Sequence, residues 1–145
     1  MRCLQLPYRF DPARLVADLA LVAAAEWIPH MNRQHYDGRW SAAALRSIGG
    51  TAENINPDSP DLAAFRDTAL LARCPYFREV LATFRCPLMA VRLLRLHTGS
   101  NIAEHIDGAL DFEDGEVRLH IPIVTSEGVK FILDGARLVM APGEC

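Results

Sequence analysis

The sequence predicts an α+β fold, mainly β, in a single domain over residues 1–145, with a helix-rich part at 1–87 and a strand-rich part at 88–145. The chain has 145 residues, of which 50% are apolar, and this is enough for one buried core. Apolar residues at helical spacing dominate the first part. Short alternating segments separated by turns, at intervals of roughly 8–12 residues, dominate the second, which is typical of a β-sandwich or barrel with helices packed on one side.

Helices are predicted over residues 11–27, 59–70 and 75–85. The first begins at Asp11-Pro12, because an aspartate can accept hydrogen bonds from the free amides of a helix start and a proline fits the first helical position. Ser59-Pro60-Asp61 and Pro75 give the same kind of signal for the second and third helices. Cys86-Pro87 is expected to end the third.

Strands are predicted at residues 40–48 and 89–97, and most clearly at 117–124, where apolar and polar residues alternate. Asp134-Gly135 predicts a hairpin turn between strands at 129–133 and 137–140. Residues 51–60 and the acidic stretch 111–116 are expected to form loops.

Composition restricts the partners and the compartment. A net charge of -3 gives no broad basic surface for nucleic acid, so a small-molecule or peptide partner is expected. No segment reaches the ~18 apolar residues of a membrane span, and residues 1–11 do not resemble a signal peptide. The four cysteines lack a CxxC spacing, which favours reduced thiols over a structural zinc site and makes the cytoplasm the expected compartment.

A His-x-Asp pattern occurs at His35-Tyr36-Asp37 and at His105-Ile106-Asp107. In an extended strand, residues two apart point to the same face, so the imidazole and the carboxylate can reach one metal ion. With a more distant histidine they form the ligand set of non-haem Fe(II) oxygenases. We expect His35 to lie in a surface loop, whereas His105 lies within the strand-rich part and is the stronger candidate.

Arg118-Leu119-His120 is the second constellation. Alternation assigns Leu119 to the core and places Arg118 and His120 together on the opposite face. If that face lines a pocket, the arginine needs an anionic partner, and a carboxylate fits its planar fork. If the face is external, both side chains lie in solvent.

Residues 92–107 (RLLRLHTGSNIAEHID) and 117–122 (VRLHIP) together resemble the aspartyl/asparaginyl β-hydroxylase family, which includes bacterial proline cis-hydroxylases. Residues 40–50, 74–77 and 141–145 resemble further pieces of it. The resemblance implies a double-stranded β-helix (a jelly-roll, cupin-like fold) with N-terminal helices. It also implies Fe(II) as cofactor and 2-oxoglutarate as co-substrate.

Transferred by position, His105 and Asp107 are two of three iron ligands, and Arg118 and His120 contact 2-oxoglutarate. The implied activity is hydroxylation of an amino acid, a peptide side chain or a related small molecule. The family also has a distal histidine after a segment like Pro142-Gly143-Glu144, and then an arginine on its last strand. No histidine follows His120 in this sequence, so we expect an incomplete domain that lacks its last strands.

Two alternatives stay open. The chain can be a non-catalytic jelly-roll module or pseudoenzyme that binds a carboxylate, or an interaction domain with Arg118 and His120 outside. Three further arginines, Arg46, Arg92 and Arg95, either meet a substrate carboxylate or lie at the surface.

Overall fold

The structure, a computed structural model, describes residues 3–108 and 115–145. The chain divides into two compact units. Residues 18–106 form one, here called the central unit. Residues 1–17 and 107–145 form the other, here called the terminal unit.

The helices and strands are short. The α-helices are α1 (Pro12–Leu19), α2 (Ala69–Arg73) and α3 (Pro75–Ala82), and 3-10 turns lie at Ala24–Glu26, Arg33–His35 and Leu62–Ala64. The strands are β1 (Ile28–Pro29), β2 (Tyr36–Asp37), β3 (Trp40–Ile48), β4 (Phe65–Asp67), β5 (Val91–Leu96), β6 (Asn101–Ile102), β7 (Phe131–Leu133) and β8 (Ala136–Leu138).

Strand β3 organises the central unit. It pairs antiparallel with β1, β4 and β5 in one sheet, and β2 pairs with β6 in a second, two-stranded sheet. Residues 41–45 of β3 are all buried. Their small side chains, including Ala42, Ala43 and Ala44, let both faces of the strand be covered closely.

Helices α2 and α3 complete the core of the central unit with Leu71, Phe77 and Val80. Thr68 joins helix to sheet: its hydroxyl accepts a hydrogen bond from the Leu71 N–H at the start of α2 and donates to the Ala44 carbonyl at 2.8 Å. Pro75 occupies the first turn of α3, as the sequence predicts.

The terminal unit contains the β7–β8 hairpin, in which Phe131 pairs with Leu138. Its turn is the predicted Asp134-Gly135, and both residues have positive φ, 51° and 76°. Elsewhere in this unit, the Phe10 N–H donates to the Gly143 carbonyl at 2.9 Å, and the Leu6 N–H donates to the Cys145 carbonyl at 2.8 Å.

Several predictions from the sequence need correction. The first helix ends at Leu19 rather than near residue 27, and residues 59–70 form a 3-10 turn, strand β4 and the start of α2 instead of one helix. The strand predicted at 117–124 is wrong: no described segment forms a ladder with it, and Val117 and Val124 stay 74% and 71% exposed. The acidic loop at 111–116 lies largely outside the described residues.

The mixed helix and sheet content is as predicted. All the strand pairs of the described residues are antiparallel, and they do not close into a barrel. None of the helices in the described ranges is long and apolar enough to cross a membrane.

Candidate functional site

His105 lies in the central unit, in the loop that follows β6. Its Nδ1 is 2.8 Å from the carbonyl oxygen of Ala103. A carbonyl oxygen only accepts hydrogen bonds, so Nδ1 carries the proton. A proton on Nδ1 is the arrangement that a backbone carbonyl commonly imposes on histidines that bind a metal through Nε2.

His35 lies beside His105, which the sequence did not predict. The centroids of the two imidazole rings are 5.3 Å apart. The pairing of β2 with β6 brings the segments together, and the Ala103 N–H donates to the His35 carbonyl at 2.8 Å. Ala103 therefore holds both histidines, one through its N–H and the other through its carbonyl.

The environment of His35 also differs from the expected surface loop. The residue is half-buried at the end of a 3-10 turn, and its Nδ1 is buried without a hydrogen-bond partner among the described residues. The Gln34 side-chain nitrogen, which only donates, lies 3.4 Å from His35 Nε2, so the ring accepts there and Nδ1 carries the proton. A buried N–H without a partner is costly, which makes Nδ1 a candidate donor to a bound water. The signal available in the sequence is that His35 belongs to the other His-x-Asp pattern of the chain, His35-Tyr36-Asp37.

Asp107 and Arg118 form an ion pair in the terminal unit, through Oδ2 of the aspartate and a terminal nitrogen of the guanidinium. Both side chains are partly exposed, at 42% and 33%. Arg118 therefore binds a protein carboxylate at a partly exposed position in this structure, and the expected contact of Arg118 with 2-oxoglutarate stays a prediction.

His120 lies near this ion pair. Its ring packs edge-on against Phe131, with centroids 5.3 Å apart. Partial burial lowers the pKa of His120 below its ordinary value, and the nearby Arg118 guanidinium lowers it further, whereas Asp107 acts in the opposite direction. The imidazole is therefore neutral at physiological pH and can both donate and accept a hydrogen bond.

The predicted site residues fall in both units, with His105 in the central one and Asp107, Arg118 and His120 in the terminal one. Within the described ranges, no group of three His, Cys, Asp or Glu side chains is assembled that could hold a metal ion. The position of the His105 proton on Nδ1 nevertheless fits a metal-binding role, because a histidine that binds a metal through Nε2 carries its proton on Nδ1.

The three further arginines have different surroundings. Arg46 is tied into the protein: it donates to the carbonyls of Leu88 and Phe65 at 2.9 Å each, and it pairs with Asp67 at 2.6 Å. Arg92 donates to the carbonyl of Ile55 at 3.0 Å. Arg95, in contrast, is exposed and places its guanidinium over the ring of Trp27.

The described cysteines, Cys3, Cys74, Cys86 and Cys145, are all free, as expected. Burial raises the pKa of the Cys74 thiol to about 11, with a further contribution from the Asp18 carboxylate. Cys74 is therefore an uncharged thiol at neutral pH, and it packs in the core rather than acting as a nucleophile.

A family model described as aspartyl/asparaginyl beta-hydroxylase matches residues 14–145. This match covers most of the chain, including His35, His105, Asp107, Arg118 and His120. Comparison with curated proteins and with solved structures found no match.

Proposed function

Because the chain belongs to the aspartyl/asparaginyl beta-hydroxylase family, we propose that it is a hydroxylase that uses Fe(II) and 2-oxoglutarate. The substrate class is an amino acid, a peptide side chain or a related small molecule. The observation that carries the proposal beyond the family match is the hydrogen bond from His105 Nδ1 to the Ala103 carbonyl, since this bond orients the ring and selects the tautomer of a histidine that binds a metal through Nε2.

In this proposal, His105 and Asp107 hold the iron. The imidazole contributes a neutral nitrogen and the carboxylate a charged oxygen, and this pair suits a divalent metal of intermediate softness. When bound, Fe(II) with 2-oxoglutarate supplies oxidising power from molecular oxygen, and 2-oxoglutarate leaves as succinate and carbon dioxide. We also propose that the chain has the fold that the resemblance implies, the double-stranded β-helix.

Arg118 and His120 bind the co-substrate. The planar guanidinium of Arg118 matches the two oxygens of a carboxylate. In this structure it binds the carboxylate of Asp107. On binding, Arg118 exchanges Asp107 for a carboxylate of 2-oxoglutarate, which leaves the aspartate to the metal. His120, neutral because its pKa is lowered, can donate a hydrogen bond to the same molecule without adding charge.

Succinate formation tests the function. The protein is incubated with Fe(II), 2-oxoglutarate and oxygen, and succinate is measured with and without a panel of free amino acids. We expect Fe(II)-dependent succinate that falls at least ~100-fold in His105→Ala, as expected for loss of a metal ligand. Asp58→Ala, which removes an exposed loop carboxylate, is the matched control and should behave like wild type.

A carboxylate-binding module without oxidation chemistry is the second candidate. It is favoured by the Arg118–Asp107 pair, because a guanidinium that already binds one carboxylate suits a carboxylate ligand. Calorimetry with 2-oxoglutarate separates the two functions. Binding that is the same in metal-free and Fe(II)-loaded protein, and the same in His105→Ala, would support the module and contradict the hydroxylase.

A further inference from the structure

A groove in the central unit has no role in the function proposed above. It is lined by Trp27, Trp40, Ser41, Arg39, Arg95 and His97, among others, and is here called the tryptophan groove. Its volume is about 380 Å³. This is at the small end of the range for ligand pockets, ~300–1,000 Å³, and therefore suits a single small molecule.

The sheet places a polar side chain at the centre of the groove wall. Ser41 on β3 is in register with Pro29 of β1 on one strand and with Arg95 of β5 on another. The residue is only 8% exposed, and its Oγ is buried without a hydrogen-bond partner in the described part of the chain. Because an unpartnered buried hydroxyl costs about 1–3 kcal/mol, this oxygen requires a partner that the protein does not provide.

Positive charge is concentrated in the same groove. The guanidiniums of Arg39 and Arg95 form no ion pair with the described residues, and no carboxylate side chain is among the described residues that line the groove. The pKa of His97 is lowered, first by partial burial and then by these two arginines.

The walls of the groove are apolar and aromatic. The Arg95 guanidinium carbon lies 4.0 Å from the centroid of the Trp27 ring, and this cation–π contact holds the charge against the wall. Trp40 is held by His30, whose ring stacks on it with a centroid distance of 3.5 Å. Both tryptophan side chains are therefore fixed in place and remain partly exposed.

From these features, we propose that the tryptophan groove binds a small organic carboxylate that carries an apolar, planar body. The carboxylate meets Arg39 and Arg95 and accepts a hydrogen bond from the Ser41 hydroxyl. The apolar body packs beside Trp27 and Trp40. The site needs no metal, so it stands independently of the proposed hydroxylase function.

The intrinsic fluorescence of the protein reports on this site directly, since the chain has two tryptophans and both line the groove. Metal-free protein, in the presence of a chelator, is titrated with phenylacetate. Phenylacetamide serves as the neutral probe of the same shape, and acetate as the anion without an apolar body. We expect a saturable fluorescence change with phenylacetate, and binding at least ~10-fold weaker for each of the other two probes.

Variants test the assigned residues. Arg95→Gln should weaken phenylacetate binding at least ~10-fold and Ser41→Ala roughly 3-fold, whereas Arg85→Gln, an exposed arginine outside the groove, should leave it unchanged. Circular dichroism confirms that each variant is folded. Two results with the wild-type protein alone would overturn the proposal. One is that phenylacetamide or acetate binds as tightly as phenylacetate, and the other is that the fluorescence change with phenylacetate does not saturate. Displacement of phenylacetate by 2-oxoglutarate, which has no apolar body, would also contradict it.

Discussion

At the scale of single residues, Asp107 has two positive partners to satisfy in the proposed function. One is the guanidinium of Arg118, with which it is paired in this structure, and the other is the proposed metal ion. The two partners compete for the same carboxylate. Because the pair is partly exposed, its strength is modest, about 0.2–1 kcal/mol, and a metal ion can displace the arginine.

Replacement of Arg118 therefore separates metal binding from co-substrate binding. In Arg118→Gln, the affinity for Fe(II) should rise up to ~5-fold, because Asp107 loses its competing cation. The affinity for 2-oxoglutarate should fall at least ~10-fold, because a charged hydrogen-bond donor to its carboxylate is lost. Anaerobic calorimetry measures both affinities. A fall in Fe(II) affinity would show that Arg118 supports the metal rather than competing with it.

His35 provides the second prediction at this scale. Its ring packs beside His105, and its backbone carbonyl is bonded to Ala103, which also orients the His105 ring. In His35→Ala, the affinity for Fe(II) should fall about 10-fold, as is common when a group that supports a metal ligand is removed. Glu53→Ala, at an exposed loop position, is the control. An unchanged Fe(II) affinity in His35→Ala would show that His35 does not contribute to metal binding.

At the scale of elements, local signals predicted what depends on local chemistry. Asp11 does accept the Ala13 N–H at 2.9 Å at the start of α1, Pro75 does begin α3, and Asp134-Gly135 does form the hairpin turn. Each of these features depends on one or two residues and their own backbone preferences. The local sequence is therefore sufficient to predict them.

Elements that depend on pairing were harder to predict. Residues 65–67 read as part of a helix, but they form β4 because β3 offers an edge on which Ile48 pairs with Phe65. Residues 117–124 alternate as a strand should, yet no described segment pairs with them. The alternation of apolar and polar residues shows only that a segment suits a strand, whereas a strand also requires a second strand to pair with.

The same limit applies to the site. The spacing of His105 and Asp107, their place in the strand-rich part and the family resemblance together select them as metal ligands, and that selection remains a prediction. The sequence places His35 in a surface loop. It does not show the pairing of β2 with β6, which brings His35 beside His105 across a long stretch of sequence. For Arg118 the sequence predicts a contact with the carboxylate of 2-oxoglutarate, and it does not predict the ion pair with Asp107.

Gly143 gives a prediction at the scale of elements. Its φ is +81°, and a Cβ atom there would overlap the carbonyl oxygen of Phe10. At the same place, the Phe10 N–H donates a hydrogen bond to the Gly143 carbonyl, and this bond links the N-terminal segment to residues near the C-terminus. Gly143→Ala should lower the free energy of unfolding by about 1–3 kcal/mol, measured by urea denaturation. Gly115→Ala is the matched control, since its φ is also positive, at +73°, but no described atom lies within 4 Å of its Cβ position. An equal effect of the two substitutions would show that strain alone, and not the contact with Phe10, matters.

At the scale of the whole molecule, burial is unequal between the two units. Most of the buried apolar residues belong to the central unit, where β3, β4 and the two following helices supply Ala43, Phe65 and Phe77. In the terminal unit, Val117, Val124 and Val139 are mainly exposed. Segments with little buried apolar surface open more readily than segments of a packed core.

Hydrogen exchange measures this difference. Amides of β3 and β5 should exchange slowly, close to the rate set by global unfolding, and those of residues 116–130 should exchange orders of magnitude faster. Mass spectrometry of peptides from each region gives the comparison. Equal protection of both regions would contradict the unequal burial described here.

The central claim is that His105 and Asp107 bind a catalytic metal ion, and an anaerobic Fe(II) titration tests it most directly. The account predicts one Fe(II) per chain in the wild-type protein, and affinity at least ~10-fold weaker in His105→Ala and in Asp107→Ala, as expected when a ligand is lost. Asp58→Ala should bind Fe(II) like the wild type. Stoichiometric binding that is unchanged in both ligand variants, or no binding in the wild-type protein, would contradict the claim.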